Sequence, residues 1–193
     1  GNRVDIFKSE RSDVESMRHQ LQHLETFKNQ LAATQKENID LKKQLDSDFI
    51  EVVKKIISCK GRVVISGIGK SAIIANKMVA TFNSTGTPSI FMHAADAIHG
   101  DLGMIQKNDI VILISNSGTT PEIKVLAPLI KNGGNILVAM VGKKNSDLGR
   151  HADYILITAV KQEACPHNLA PTSSTTVQLA MGDALAVCLL EAR

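Results

Sequence analysis

Six consecutive residues carry the groups that proteins use to bind an anion. They are Ser115, Asn116, Ser117, Gly118, Thr119 and Thr120. The run follows an apolar stretch and precedes Pro121, which suits the first turn of a helix. It offers backbone N–H groups at a helix start together with four hydroxyls and one amide. An ordinary capping loop is the alternative, but one Ser or Thr suffices for that, so the surplus of hydroxyls favours a phosphate or carboxylate site.

A lysine lies at another turn between a predicted strand and a predicted helix. The segment RVVISGIGKS at 62–71 ends with Gly69, Lys70 and Ser71. It lacks the third glycine of the dinucleotide pattern and the leading glycine of the nucleotide-hydrolase phosphate loop, which argues against a nucleotide. Lys70 adds a positive charge where the helix dipole is already positive, and a bound anion or developing oxyanion would offset that cost. A simple surface lysine is the alternative.

Three other ionisable residues are candidates for acid–base chemistry. His93 and His99 are six residues apart and do not share a helical face, which argues against a metal pair. His99 precedes Gly100 and Asp101, as an imidazole held for hydrogen bonding or proton transfer does, although capping of the next turn is an open alternative. Glu163 lies among Ala, Cys and Pro, where burial is expected to raise its pKa and suit it to act as an acid or base.

A second hydroxyl-rich run opens the last predicted helix. Its members are Thr172, Ser173, Ser174, Thr175 and Thr176. The segment that leads to it from residue 158 is too long and too apolar at its centre for a simple connector. The run could hold polar groups of the same ligand, or it could only cap the helix.

The elements that position these residues alternate between strands and helices. Short β-rich runs are predicted near 62–66 and at 88–93, 109–115, 135–141 and 154–158, with helical patterns between them. This alternation predicts an α/β fold, a three-layer αβα sandwich around a five-stranded parallel sheet. Ligands of such sheets bind at the carboxyl ends of the strands, so we expect the site in the loops that leave strands one, two, three and five.

The N-terminal part of the chain has a different composition. Residues 12–48 contain neither Gly nor Pro and are rich in Gln, Glu, Lys and Leu. A heptad stripe of apolar residues starts there and fails after about two and a half repeats. We predict one long amphipathic helix before the α/β domain, with a partly frayed leader as the alternative. The predicted division is a helical extension over 1–46 and the domain over 47–193.

Composition and charge argue against several functional classes. Apolar residues make up 44% of the chain, whereas aromatic residues make up only 3%, too few for stacking platforms that bind single-stranded nucleic acid. The net charge of +3 suits a small anionic ligand better than a nucleic acid. Cys59, Cys165 and Cys188 lack metal-type spacing and indicate reduced thiols in a cytoplasmic protein. Without a visible signal peptide or a run of about 18 apolar residues, we expect no membrane partner.

Three segments together resemble a known family. GIGKSAIIANKMVATFNSTGTPSIFMHAADAIHGDLGM, ISNSGTTPEI and KQEACPHNLAPTSSTTVQLAMGDALAV closely resemble the sugar isomerase (SIS) domain of D-arabinose 5-phosphate isomerases. The resemblance covers about residues 45–193. It implies interconversion of D-arabinose 5-phosphate and D-ribulose 5-phosphate through an enediol(ate), for synthesis of the Kdo sugar of lipopolysaccharide. It also implies homotetramers with sites at subunit interfaces, and no metal or other cofactor.

The resemblance implies roles for individual residues. It places the family's catalytic lysine at Lys70, where it would stabilise developing charge. Of its two glutamates, Glu163 is expected to shuttle the proton, and Glu122 to orient the substrate or serve as the alternate base. His93 and His99 are expected to contact the substrate, with His99 opening the ring or moving an oxygen proton.

Further positions are expected to contact the substrate. Gly86 and Thr87 match a sugar-contacting pair, and the Ser115–Thr120 run matches the phosphate cradle. The remaining candidates are Gly69, Ser71, Ser173, Ser174 and Thr175. Thr119 stands where many members have Glu, a departure expected to alter loop contacts rather than chemistry.

Two further expectations follow from the resemblance. Members usually continue beyond the position of Arg193 into a segment with a further histidine, and many add a paired CBS module; neither lies in this sequence. SIS domains also occur as phosphosugar-binding regulatory modules without catalysis, which is the alternative function.

Overall fold

The computed structural model describes residues 47–193. The chain divides into two units, Gly1–Gln44 and Leu45–Arg193. The long helix predicted over 1–46 lies outside the described residues.

Five parallel strands form a single sheet at the centre of the second unit. They are β1 Val63–Gly67, β2 Ser89–His93, β3 Ile110–Ser115, β4 Ile136–Val141 and β5 Tyr154–Ile157. Their order across the sheet is β2-β1-β3-β4-β5, and every neighbouring pair is parallel. All residues of β1 and β3 are buried, as expected for strands covered on both faces. The predicted five-stranded parallel sheet is therefore confirmed.

Helices cover both faces of the sheet. They are α1 Ser47–Ser58, α2 Lys70–Ser84, α3 Ala94–Ala97, α4 Pro121–Asn132, α5 Asp147–His151 and α6 Ser173–Glu191, with a 3-10 turn at Asp101–Met104. One core cluster joins α1, α2 and α6 to one face of the sheet, and a second joins α3, α4 and α5 to the other. Ile65 and Val64, which are successive in β1, belong to different clusters because side chains alternate along a strand. The three-layer sandwich is thus confirmed.

The strand order creates a crevice between β1 and β3. These strands are neighbours in the sheet, but α2 follows β1 on one face whereas α4 follows β3 on the other. The two connections separate above the carboxyl ends of the strands. Open α/β sheets bind their ligands at such a point.

The last helix returns across the sheet from its edge. β5 is an edge strand, yet α6 packs against α2, which follows β1 on the far side of β3 and β4. Gly182 has no room for a side chain because Met78 packs against it, and Lys77 forms an ion pair with Asp183. The sequence patterns did not predict this contact, which brings the start of α6 to the start of α2.

Helix α6 is also the most apolar long helix of the described region. Among residues 47–193 it alone has the length and composition to cross a membrane. Met181, Leu185 and Leu189 lie in the core cluster with the sheet, so α6 is part of the domain's core.

A buried carboxylate organises the opposite, amino edge of the sheet. Asp109, before β3, is 2% exposed and accepts hydrogen bonds from the backbone N–H of Arg62 (2.8 Å), from Arg62 Nη2 (2.9 Å) and from the N–H of Gln106 (2.9 Å). Asn135, before β4, donates to the carbonyls of Gln106 and Asp109. These bonds tie together the starts of β1, β3 and β4.

Candidate functional site

The loop after β3 is shaped by its own hydroxyls. Ser115 is buried, and its Oγ accepts the backbone N–H of Gly118 at 3.1 Å. Ser117 Oγ accepts the N–H of Thr119 at 3.3 Å, and both of these residues are exposed. Ser115 therefore supports the turn, whereas Ser117 and Thr119 present their side chains to solvent at the carboxyl edge.

Glycine at position 118 is required by both conformation and space. Its φ of +64° lies in the left-handed region, and a Cβ there would collide with the Ser146 side chain. The Gly118 carbonyl accepts the N–H of Leu148 at 2.9 Å, and the Asn116 carbonyl accepts the N–H of Gly142 at 3.0 Å. The loop is thus fixed to the segment after β4. No sequence signal pointed to Ser146 as the residue that packs against it.

Two long helices start at the crevice without a side-chain cap. Thr120 is the N-cap residue of α4 and Gly69 that of α2, and neither helix start donates a backbone N–H to a capping side chain within residues 47–193. The Thr120 hydroxyl is buried and lacks a hydrogen-bond partner among those residues. Uncapped N–H groups and positive helix dipoles on both sides of one crevice favour an anion.

Lys70 is the first residue of α2. It is exposed and, among the described residues, forms no ion pair, and Ser71 follows it as a half-buried residue. Its ammonium group thus adds an exposed positive charge to the same edge. This position agrees with the predicted place of Lys70 at a helix start after the first strand.

Glu122 and the two histidines lie at the same edge. Glu122 is half-buried in the first turn of α4 and makes no hydrogen bond with another described residue. His93 ends β2, and its Nδ1 lies 3.7 Å from Asp96 Oδ2. His99 is exposed in the turn after α3, and its side chain contacts no polar group of the described region.

Glu163 caps helix α6. Its Oε2 accepts hydrogen bonds from the backbone N–H of Thr172 (2.8 Å), from Thr172 Oγ1 (3.1 Å) and from the N–H of Ser174 (3.2 Å). Its own N–H donates to Asn168 Oδ1 at 2.7 Å. The loop from β5 is therefore locked onto the start of α6, which carries the predicted Ser173, Ser174 and Thr175.

The expectation that burial raises the pKa of Glu163 was wrong. Burial does act to raise this pKa, but the hydrogen bonds from Ser174 and Thr172 outweigh it and lower the pKa of Glu163 to about 2. The neighbouring Ala, Cys and Pro residues gave no sign of these donors, which lie nine to eleven positions later. The carboxylate is consequently ionised over the whole physiological pH range.

Two residues predicted to contact the substrate lie away from the carboxyl edge of the sheet. Gly86 and Thr87 precede β2, at the amino edge of the sheet, because Ser89 pairs with Val63 at the start of β1. Gly86 is exposed with a φ of +85°, and Arg193 donates a hydrogen bond to its carbonyl. Within one protomer, Gly86 and Thr87 are therefore separated from Lys70 by the length of the sheet.

One polar residue of this region was missed by the sequence reasoning. Gln178 lies in α6, is fully buried, and accepts a hydrogen bond from Ser71 Oγ at 3.4 Å. A polar residue among the buried positions of an apolar helix is a detectable signal, because such groups are normally retained only with a partner. Within residues 47–193, no group of three or more His, Cys, Asp or Glu side chains could hold a metal ion.

Comparison with known proteins adds to this geometry. The chain is 53% identical over 150 residues to arabinose 5-phosphate isomerase KdsD of Pseudomonas aeruginosa, a match that covers 78% of this chain and 46% of that protein. It is 51% identical over 154 residues to KdsD of Escherichia coli K12, covering 80% of this chain and 47% of that protein. The chain thus spans about half the length of these curated relatives.

A solved structure shares the fold at comparable similarity. The protein c3406 of Escherichia coli CFT073, in complex with arabinose 5-phosphate, has a TM-score of 0.75 and 46% sequence identity, covering 82% of this chain and 86% of that one. The model of the SIS domain family matches residues 56–188, which include all five strands and the loops of the carboxyl edge. With most of its length matched, the chain belongs to the SIS domain family.

Proposed function

We propose that the chain is an aldose–ketose isomerase that interconverts D-arabinose 5-phosphate and D-ribulose 5-phosphate. The observation that carries the proposal is the crevice between β1 and β3, where the Ser115–Thr120 loop meets two uncapped helix starts. This loop would hold the phosphate group and leave the sugar extended along the carboxyl edge. The identity of about one half to the KdsD proteins supports this choice of substrate.

The proposed reaction moves a carbonyl group between C1 and C2. After ring opening, a base removes the proton from C2, the electron pair forms the C1–C2 double bond, and the aldehyde oxygen becomes an enediolate oxygen. The proton of the C2 hydroxyl then moves to the C1 oxygen, the base returns its proton to C1, and the C2 oxygen forms the new carbonyl. Lys70 is proposed to stabilise the oxygen's negative charge, because its ammonium group is unpaired among the described residues. His99, with an unengaged imidazole, would open the ring, and His93 would contact the sugar.

Two carboxylates compete for the role of the base. Glu163, with a pKa of about 2 and one oxygen engaged by Thr172 and Ser174, is a poor acceptor near neutral pH. Glu122 accepts no hydrogen bond from the described residues. We therefore propose Glu122 as the proton shuttle and Glu163 as the group that holds α6 and orients the substrate through its other oxygen. This assignment takes up the alternative in which Glu122 is the base, in place of the expected shuttle at Glu163.

The direct test is an isomerase assay followed by NMR in deuterated water. The chain is expected to form ribulose 5-phosphate from arabinose 5-phosphate and to incorporate deuterium from solvent. Glu122→Gln is expected to lower kcat by about 100-fold or more, and Glu163→Gln by less than about 10-fold. Glucose 6-phosphate serves as the competing substrate, and a chain extended past Arg193 serves as the second enzyme form.

Each outcome of this assay decides one part of the proposal. Loss of activity confined to Glu163→Gln would restore Glu163 as the base. Binding of arabinose 5-phosphate without turnover by either enzyme form would favour the phosphosugar-binding regulatory module. The absence of any phosphosugar binding would contradict both functions.

We also propose a cytoplasmic homotetramer with sites at its subunit interfaces, which acts in the supply of arabinose 5-phosphate for Kdo synthesis. The proposal of an interfacial site is supported by the place of Gly86 and Thr87, since the amino edge of one protomer can reach a substrate only in another protomer's site. We propose no nucleic-acid or membrane partner.

A further inference from the structure

Gln178 and Ser174 are the buried polar residues of a helix whose other buried positions are apolar. The Gln178 side chain is 0% exposed, Oε1 accepts the Ser71 hydroxyl at 3.4 Å, and Nε2 lacks a partner among residues 47–193. Leaving a buried amide unpaired costs about 1–3 kcal/mol. An apolar residue of the same size would fill the core without that cost. Packing alone therefore does not explain why position 178 carries an amide.

The position of Gln178 links the two helix starts that carry proposed catalytic groups. Ser71 follows Lys70 in the first turn of α2. On α6, Ser174 is four residues before Gln178 and so lies on the same face, and its N–H donates to Glu163. The Ser71–Gln178 hydrogen bond therefore connects the helix start that bears Lys70 to the one held by Glu163.

The other contacts between these helices lie farther from the site. Met78 packs against Gly182, and the Lys77–Asp183 ion pair has side-chain exposures of 42% and 45%. Exposed ion pairs of this kind contribute little to stability. Near the carboxyl edge, the Ser71–Gln178 hydrogen bond is the polar contact between these two helix starts within residues 47–193.

We infer that Gln178 is a positioning residue, which aligns Lys70 with Glu163 by holding Ser71 at the start of α2. The inference rests on the proposed isomerase function. The Nε2 group of Gln178 is a donor and needs a hydrogen-bond acceptor other than residues 47–193. A buried water or a substrate oxygen can serve as that acceptor. Because a displacement of about 1 Å at a catalytic group can cost about 100-fold in rate, this alignment affects kcat more than substrate binding.

The test replaces the amide without changing the volume of the side chain. Gln178→Met is expected to lower kcat by about 10- to 100-fold, to change KM by less than about threefold, and to leave Tm within a few degrees of the wild type. A residue that serves only stability would instead lower Tm and leave kcat of the folded enzyme unchanged. An unchanged kcat in Gln178→Met would overturn the inference.

Ser71 variants provide an independent test, because they do not require the buried core to accept a new side chain at position 178. Ser71→Ala is expected to reproduce most of the loss of kcat, and Ser71→Thr, which keeps a hydroxyl, to restore part of it. The double variant with Gln178→Met should be no slower than the slower single variant, because both remove one interaction. Additive losses would show that the two residues act separately. Asp183→Asn is the matched control on the same helix pair, with kcat expected to be unchanged.

An NMR titration separates failure of this inference from failure of the proposed function. The Glu163 carboxyl signal is followed in the wild type and in Gln178→Met. If the Ser71–Gln178 bond aligns the two helix starts, its loss shifts the start of α6 relative to α2, weakens the hydrogen bond from Ser174 to Glu163, and raises the pKa of Glu163 toward its ordinary value. Should the wild type prove inactive, the isomerase proposal fails, and an unchanged Glu163 titration would then overturn the positioning role as well.

Discussion

At the residue scale, Glu163 caps a helix, although its place in the sequence predicted an acid or base. Its carboxylate receives three hydrogen bonds from Thr172 and Ser174 and caps a 19-residue helix. The hydroxyl-rich run that opens α6 was recognised as a capping or binding segment, and the same donors lower the pKa of Glu163. The residue type and the helix start were thus predictable, but the direction of the pKa shift depended on contacts between positions far apart in the loop.

Removal of the Glu163 charge is expected to change how the free energy of unfolding depends on pH. The pKa of Glu163 is about 2 in the folded chain and near its ordinary value of 4.5 when unfolded, so its stabilisation is complete above about pH 4.5 and is lost as pH falls toward 2. Glu163→Gln should therefore lower the free energy of unfolding by about 1 kcal/mol at pH 7, the typical contribution of a helix cap. The difference from the wild type should shrink as pH falls from 4.5 toward 2. Urea denaturation from pH 2.5 to pH 7 measures it, and a difference independent of pH would contradict the capping role.

At the element scale, the sequence predicted which elements form better than which elements meet. Apolar runs bounded by turns located all five strands. The packing of α6 on α2 was not predictable, because it depends on the shape of Gly182 and Met78 rather than on hydrophobicity. The Asp109 cluster was missed for a related reason: its partners in β1, β3 and β4 come together only in the folded sheet.

Loss of the Asp109 carboxylate is expected to destabilise the sheet. Asp109→Ala leaves the N–H groups of Arg62 and Gln106 without their acceptor and should lower the free energy of unfolding by about 3 kcal/mol. Burial acts to raise the pKa of Asp109, but its bonds with Arg62 and Gln106 keep that pKa below the ordinary 3.8. Its stabilisation is therefore present above that pH and is lost as the solution becomes more acidic.

A matched control for Asp109 exists on the surface. Glu51→Ala removes the ion pair between Glu51 and Lys54, whose side chains are 42% and 65% exposed, and should lower the free energy of unfolding far less than Asp109→Ala does. Urea denaturation of both variants at pH 7 compares the two sites. Equal losses would mean that the amino-edge cluster contributes no more than a surface pair.

At the scale of the whole molecule, the candidate site cannot be completed within one protomer if Gly86 contributes to it. Gly86 and Lys70 lie at opposite edges of the same sheet. The individual residues of the site were predictable because each follows a strand and carries a distinctive side chain. The distance of Gly86 from the others was not predictable from a matched motif, because it follows from the direction of the strands.

A mixing experiment tests the proposed interfacial site. Lys70→Ala removes the charge of one helix start, and Gly86→Asn adds a side chain at a φ that Asn tolerates, where the nearest neighbour is the flexible Arg193 guanidinium at 3.2 Å. Each variant alone is expected to be inactive. Refolded together in equal amounts, they should recover roughly a quarter of wild-type activity, because about that share of sites then receives an intact residue from each protomer. Recovery of no activity would place Lys70 and Gly86 in the site of the same protomer, and an active Gly86→Asn variant would place Gly86 outside the site.

The return of α6 to α2 has a consequence for the order of folding. Neighbouring strands of the sheet pair residues 16 to 47 positions apart, whereas the contact of Ser71 with Gln178 joins positions 107 residues apart. During synthesis, the five strands therefore leave the ribosome before the start of α6 does. Contacts between residues so far apart in the sequence form late in folding. A nascent chain arrested before residue 173 would carry the Ser115–Thr120 loop but neither Gln178 nor the start of α6, so affinity for a phosphosugar should emerge only when the final helix leaves the exit tunnel.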